Sequence, residues 1–416
     1  LTKYLPVLTL KEAFEMSRNR RRWIPAVLAP VIVAGSVLGF SVQANASIDL
    51  PNKSASQILQ MINTNPEIAF SGRIVKKASM GLPPMNIVPD ISQSMIDEAA
   101  KRMPKEMSDF LPKASAQGEL ALALEFFAGT HTANIYVDGV DKTRLQVLDL
   151  LSERDYIRNG NELWSYDAGK SLAQHSVVSA ADVAQAESEA RSLFNQNSGK
   201  LPFDYTSPAA VAEYVLNEAG KYSTISVASD IKIADRGAYQ ITITPKGNQS
   251  LVASATLSID AATGLPLAVR VMAVGQSTPA FEVAFETINF AKPAASNFNF
   301  TPPAGTRVKE VAAPTKADVL REVAKAPKAP SESEARKQLE DLAAQGWGAV
   351  AVIPVAQVPA EIRLLQVNNS LYKELTKPVS GGRVFTSALM NIFFADNGDV
   401  YAGSVTVARL LAVAAK

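Results

Sequence analysis

The sequence predicts an α+β protein built on a long antiparallel meander, and three observations predict it. Between His131 and Phe290 apolar and polar residues alternate in runs of five to nine residues, the signature of half-buried strands. The connections between these runs are too short for helical crossovers, so neighbouring strands must be antiparallel. Helical patterns are few and interrupt the strand runs only at isolated points, which suits helices packed on one sheet. A chain of 416 residues fits two or three domains.

The first 46 residues read as a leader. Arg18, Arg20, Arg21 and Arg22 form a basic cluster, Ile24 to Phe40 carries no charge, and Ala44-Asn45-Ala46 places small residues at a cleavage site. Basic, apolar, small: this is the order of a secretory signal peptide. Met16, directly before the cluster, is a candidate for the true translation start. The expected location is extracytoplasmic, either secreted or held at the membrane through an uncleaved leader.

Leu50 to Asn63 reads as a helix in which Ser54 and Gln57 have capping-box spacing. A strand follows at Ile68–Lys76. Residues 80–118 form a Met-rich insert. Five of the nine methionines fall between Met80 and Met107, and Met95, Ala99, Met103 and Met107 recur at four-residue spacing with Phe110 nearby. That gives an amphipathic helix, divided by Pro104, whose flexible thioethers fill core space or line a ligand groove.

Strands are expected at His131–Val137, Thr143–Leu150, Arg154–Arg158 and Glu162–Tyr166. In the second of these Leu145 and Val147 lie on one face and Arg144, Gln146 and Leu148 on the other. Asn159-Gly160 is a hairpin turn. Ser207-Pro208 opens a helix running to Glu218 and stopped by Gly220. Thr224–Ala228, Ala238–Thr244, Leu251–Ile259, Leu267–Ala273 and Phe281–Glu286 complete the meander. Residues 311–332, rich in Ala, Lys and Pro, are a linker. The expected C-terminal domain, 333–416, is small and α+β, with a helix over Glu332–Gln345 and apolar segments at Ala349–Ile353, Val384–Phe394 and Val400–Val405. Asp396-Asn397-Gly398-Asp399 is a turn.

The composition argues against most chemistry. There is no cysteine, so disulfides, thiolate catalysis and Cys-based metal sites are excluded. A formal net charge of +1 gives no bulk basic excess for nucleic acid. His131 and His175, the two histidines, sit in no ligand-spaced motif. No nucleophile elbow and no phosphate-binding glycine loop occurs. Glu282 and Glu286 share a strand face, as ordinary solvent-facing pairs do, and Trp164, Tyr166 and Trp347 suit packing better than carbohydrate platforms. No enzyme, cofactor or metal site is expected. Leu251–Ile259 and Leu267–Ala273 carry apolar or small residues on both faces, more than a few helices can shelter. An apolar surface left over in this way is a candidate ligand site.

Three stretches, in order, resemble one family. Asn159-Gly160-Asn161-Glu162-Leu163-Trp164-Ser165-Tyr166-Asp167, Asp260-Ala261-Ala262-Thr263-Gly264-Leu265-Pro266-Leu267 and Phe298-Asn299-Phe300-Thr301-Pro302-Pro303 are similar to motifs of LolA-type lipoprotein carriers and of the related N-terminal domain of RseB/MucB regulators. The nearest resemblance is to actinobacterial signal-peptide-bearing proteins labelled outer-membrane lipoprotein carriers. It covers about residues 47–310. The resemblance implies a strongly curved antiparallel sheet, an incomplete barrel, with helices covering its concave side. It further implies non-catalytic binding of an acyl chain, lipid or lipoprotein in an apolar groove. Envelope-stress regulation by docking an anti-sigma factor, or another membrane-anchored regulatory protein, is the alternative. Met95, Met103, Met107, Phe110, Trp164, Tyr166, Leu267 and Val269 are the expected groove lining.

Overall fold

A computed structural model describes residues 50–62, 68–81, 128–148, 153–179, 181, 208–312, 344–358, 363 and 370–415. The expected leader, residues 82–118 of the Met-rich insert, all but the first two residues of the linker, and most of the helix expected over Glu332–Gln345 lie outside them.

The described residues form mostly a large mixed sheet with few helices, the α+β class that the alternation predicts. Helix α1 (Ala55–Met61) starts where the capping box places it. The Gln57 amide donates to Ser54 Oγ at 3.2 Å, and the Ser54 amide donates to Gln57 Oε1 at 2.9 Å. Two otherwise unpaired helix-end donors are thereby satisfied. Strands β1 (Ala69–Ser79), β2 (Ala128–Asp138), β3 (Lys142–Leu148), β4 (Glu153–Asn159), β5 (Glu162–Asp167) and β6 (Leu172–Val177) follow. Gly160 takes the left-handed conformation that the β4–β5 hairpin requires. Helix α2 (Pro208–Tyr222) leads directly into β7 (Ser223–Ile233), β8 (Arg236–Pro245), β9 (Val252–Asp260), β10 (Pro266–Ala273), β11 (Phe281–Asn289) and β12 (Arg307–Glu310). These twelve strands pair in the order β12-β6-β5-β4-β3-β2-β1-β11-β10-β9-β8-β7.

Three features differ from the sequence reading. The sheet is mixed rather than antiparallel throughout, because β12 returns to pair parallel with β6. Helix α2 runs through Gly220, which keeps helical backbone. Its carbonyl accepts from Lys246 Nζ at 2.7 Å, and the Lys246 amide donates to the Tyr222 carbonyl at 2.8 Å. Strand β7 extends to Ile233 past an irregularity between Ala228 and Ile231.

The main core gathers Ile58 of α1 with Phe70, Ile135, Val137, Tyr239, Leu257, Ile259, Leu267, Val269 and Phe285. Residues of β7 and of β11 both pack into it, and those two strands touch although β8, β9 and β10 lie between them in the paired order. The sheet therefore bends back on itself at this end, around α1.

A second sheet of five strands has the order β13-β17-β16-β15-β14: β13 (Ala351–Ile353), β14 (Thr376–Val379), β15 (Gly382–Thr386), β16 (Asn391–Ala395) and β17 (Val400–Gly403). The single segment expected over Val384–Phe394 is two strands with a turn at Ser387–Met390, where Ser387 Oγ bonds both the amide and the carbonyl of Met390. Helix α3 (Ser370–Leu375) precedes β14, and α4 (Val407–Ala414) ends the described chain, capped by Thr406. This second sheet meets one end of the large one. Ser250 bridges Val405, the Leu251 amide donates to the Ser404 carbonyl at 2.8 Å, and the Ala388 amide donates to the Met80 carbonyl at 2.7 Å.

Candidate functional site

Strand register assigns every side chain of the large sheet to one of two faces, because residues directly opposite in neighbouring strands share a face. Phe70 opposes Val137, Gly72 opposes Ile135, and Ile74 opposes Ala133 and Phe285. Ile135 opposes Leu145, Ala133 opposes Val147, and Leu145 opposes Tyr156. Val283 opposes Val269. A mainly apolar face thus runs from the α1 core across β11 and β1 to β4, where Arg154 and Arg158 flank Tyr156; Lys76 and His131 share it on β1 and β2. At the core end it is filled: Leu267 and Val269 are 2% and 3% exposed. Farther out, Ile74, Ala133, Leu145, Val147 and Tyr156 are only half-buried. Among the described helices α1 packs on this face, while α2 lies against α1 and β7. Gly72 permits a close approach at the centre, since a Cβ there would meet the Thr287 carbonyl at 2.6 Å and the Phe285 ring at 2.8 Å.

The opposite face is mixed: Arg144, Gln146, Glu153 and Asp155 lie beside the fully buried Ile157. Trp164 and Tyr166 belong to it, opposing Ile157 and Asp155 on β4. They do not share a surface with Leu267 and Val269. Instead they receive a strap formed by the segment between β11 and β12. Phe300 of this strap packs on Trp164 and Tyr166, with ring centroids 5.3 and 5.5 Å apart. Phe298 is fully buried, and Asn159 Nδ2 donates to Asn299 Oδ1 at 3.0 Å. Met95, Met103, Met107 and Phe110 lie outside the described residues. The eight expected lining residues thus divide into two core residues, two strap contacts and four not described.

Under the strap lies a buried charge network that sequence spacing did not reveal. Arg144 grips Asp155 with two nitrogens, at 2.9 and 3.0 Å, and Asp155 is 1% exposed. Gln146 donates to Glu153 at 2.8 Å and accepts from Asn134 at 2.8 Å. Burial pushes the Asp155 carboxyl up to about 6, against the Arg144 hydrogen bonds that favour its charge. Glu153 moves the other way, lowered by its hydrogen bonds with Asp155 and Gln146. A raised carboxyl pKa makes the folded state hold its proton more tightly than the unfolded chain does. Asp155 therefore contributes most at low pH, and the contribution declines as pH rises from the ordinary value of 3.8 to about 6. The contribution of Glu153 disappears as pH falls below its ordinary 4.5. Between pH 4.5 and 6 the Asp155 effect acts without that opposition. In urea unfolding, the parent is expected to lose stability across this interval relative to Asp155→Asn. Parallel curves for the two proteins would contradict the assignment.

The remaining sequence candidates have structural partners. His175 stacks on Trp164 with ring centroids 4.1 Å apart, and its Nδ1 lies 2.9 Å from Glu310 of β12. His131 stands opposite Lys76 on β1. Glu286 pairs with Arg73 at 3.0 Å, and Glu282 with Lys77 at 3.8 Å. At the far turn, Asn397 and Asp399 bond each other and hold the hairpin between β16 and β17.

No family model and no curated protein matches the chain. Solved structures do. The MucA/MucB complex of Pseudomonas aeruginosa is similar at 14% identity and a TM-score of 0.36, over 86% of this chain and 96% of that one. A MucB structure is similar at 16% identity and a TM-score of 0.29 over 59% of this chain, which spans 62% of MucB's length. A LolA superfamily protein from Nitrosomonas europaea is similar at 9% identity and a TM-score of 0.21, over 60% and 99% of the two chains. All three TM-scores lie below 0.5, so the function is built from this chain's own residues.

Proposed function

We propose that this is an extracytoplasmic, non-catalytic binding protein that holds an acyl chain, as free lipid or lipoprotein, on the outer part of the apolar sheet face. One observation carries the reading: the apolar row of the α1 core continues through Ile74, Ala133, Leu145, Val147 and Tyr156, which are half-buried rather than sealed. Burying an acyl chain gives about 0.8 kcal/mol per methylene, so such a row binds without any polar motif. The basic, apolar, small-residue order of the leader supports export.

The full chain is expected to carry lipid in organic extracts read by mass spectrometry, and to take up added palmitate when delipidated. Leu145→Asp should reduce that uptake about tenfold or more, because a charge then faces the hydrocarbon. Protein that is lipid-free and takes up no palmitate would sink the proposal.

A second reading has its own support. Strand β7, Ser223–Ile233, ends the pairing order, so it is an edge strand of the described sheet. An edge of that length is a template for strand addition by a protein partner. Crosslinking in cells separates the readings. A single stoichiometric membrane-protein partner would favour a regulatory role of the kind that docks an anti-sigma factor.

A further inference from the structure

We propose that the cleft where the two sheets meet is a binding site for a small anionic sugar, a uronate or a sugar phosphate. It lies away from the apolar face and stands independently of the lipid reading. The cleft has a volume of about 450 Å³, within the range of small-ligand pockets. The large sheet supplies Tyr222 from the end of α2 together with Lys246, Asn248 and Gln249 from the β8–β9 connection. The second unit supplies Trp347 and Arg409. Neither part forms the site alone.

Among the described residues the lining contains two cations and no carboxylate. Lys246 Nζ donates to the Gly220 carbonyl at 2.7 Å, and Arg409 uses Nε for a long 3.5 Å contact to the Gly348 carbonyl. Among the described residues neither cation has a carboxylate within ion-pair distance, and the two Nη nitrogens of Arg409 make no hydrogen bond. A guanidinium left in this state presents a planar fork suited to a carboxylate or phosphate. The amide side chains of Asn248 and Gln249 bond each other, Gln249 Nε2 donating to Asn248 Oδ1 at 3.3 Å, and their remaining donors and acceptors are of the kind that hydroxyl groups need. Trp347 is fixed by its Nε1–H, which donates to Ser223 Oγ at 2.8 Å. It thereby supplies a rigid aromatic wall beside the polar set, and an aromatic body with a satisfied polar edge suits an amphipathic ring. A bare ion would use the cations and leave the amides and the indole idle; a charged sugar uses all three.

The test titrates the full chain by calorimetry with glucuronate, glucose 6-phosphate, glucose and inorganic phosphate. Binding of at least one charged sugar is expected, with glucose and inorganic phosphate each at least about tenfold weaker, the weight of one lost charge-assisted contact. The tighter of the two charged sugars identifies the anionic group. Arg409→Gln should weaken binding of that sugar about tenfold or more without shifting the melting temperature, because its side chain holds little of the fold, and Lys246→Gln should weaken it as well. The proposal is overturned if neither charged sugar binds, if glucose or inorganic phosphate binds as tightly, or if both variants bind like the parent. Palmitate uptake should be the same in Arg409→Gln as in the parent, so failure here and failure of the lipid reading are told apart.

Discussion

Asp260→Ala is expected to destabilise the protein by about 2–4 kcal/mol, because it removes the buried acceptor of several hydrogen bonds and the counter-charge of a partly exposed arginine. Asp260 ends β9 and is fully buried. Its two oxygens accept from Arg236, through Nε and, at 3.1 Å, through Nη2. One of them also accepts from the Ala262 amide at 3.1 Å, the Thr263 amide at 2.7 Å and Thr263 Oγ1 at 2.8 Å. The alanine variant leaves those turn donors without an acceptor and leaves Arg236, 4.6 Å from the Phe290 ring centre, without its counter-charge. Burial alone would push the Asp260 carboxyl up, but the hydrogen bonds from Arg236 and Thr263 outweigh it and hold the group below its ordinary 3.8. Its contribution is therefore complete above that value and is lost as pH falls through the folded-state value below it. Asp260→Asn, which keeps one acceptor but no charge, should lose less than the alanine variant. Chemical denaturation measures both, and a loss under about 1 kcal/mol for Asp260→Ala would refute the ranking.

Gly264→Ala is expected to cost about 2–4 kcal/mol, for two separable reasons. Gly264 has φ +75°, a left-handed conformation that an L side chain resists. A methyl added there would also overlap the backbone carbonyl of Met61 at the end of α1. The β9–β10 turn can move away only by pulling from α1, the helix that closes the core around Ile58. Gly160→Ala is the control, because its φ is +59° but nothing lies within 4 Å of the added methyl. That variant should show the backbone cost alone, of about 1 kcal/mol. Equal losses at the two positions would mean that the contact with α1 carries no weight.

Local chemistry made much of this architecture legible. Ser54 and Gln57 announce α1, Asn159-Gly160 announces the β4–β5 turn, and the alternations at Ala238–Thr244 and Phe281–Glu286 and the apolar run Leu267–Ala273 are strands where the pattern puts them. What stayed hidden depends on partners distant in the chain. Strand β12 is four exposed residues, Arg-Val-Lys-Glu, with no pattern of their own; they are a strand because β6 offers an edge. Leu172–Val177 is likewise too irregular to stand out, and α4 lies beyond Val400–Val405, the last segment that the sequence pattern marks. The expected groove joined Trp164 and Tyr166 to Leu267 and Val269. Each pair lies on one face of its own strand. Whether two distant strands present the same face depends on every register between them, including the shift at Arg73/Ile74, where Glu286 is the extra residue. No local pattern encodes that sum. The Arg144–Asp155 pair was hidden for the same reason, since the two residues meet only once β3 and β4 are aligned.

The pairing order carries a kinetic implication. Strands β2 through β6 follow one another as sequence neighbours, and so do β7 through β11; the pairings of β1 with β2 and with β11 and the late return of β12 to β6 join residues far apart along the chain. Closing a long loop costs entropy before any contact rewards it. Two hairpin arrays can therefore assemble early, and their union at β1–β11 becomes the slow step. Substitutions in that seam and within either array should retard refolding, because their contacts are in place when the slow step is crossed.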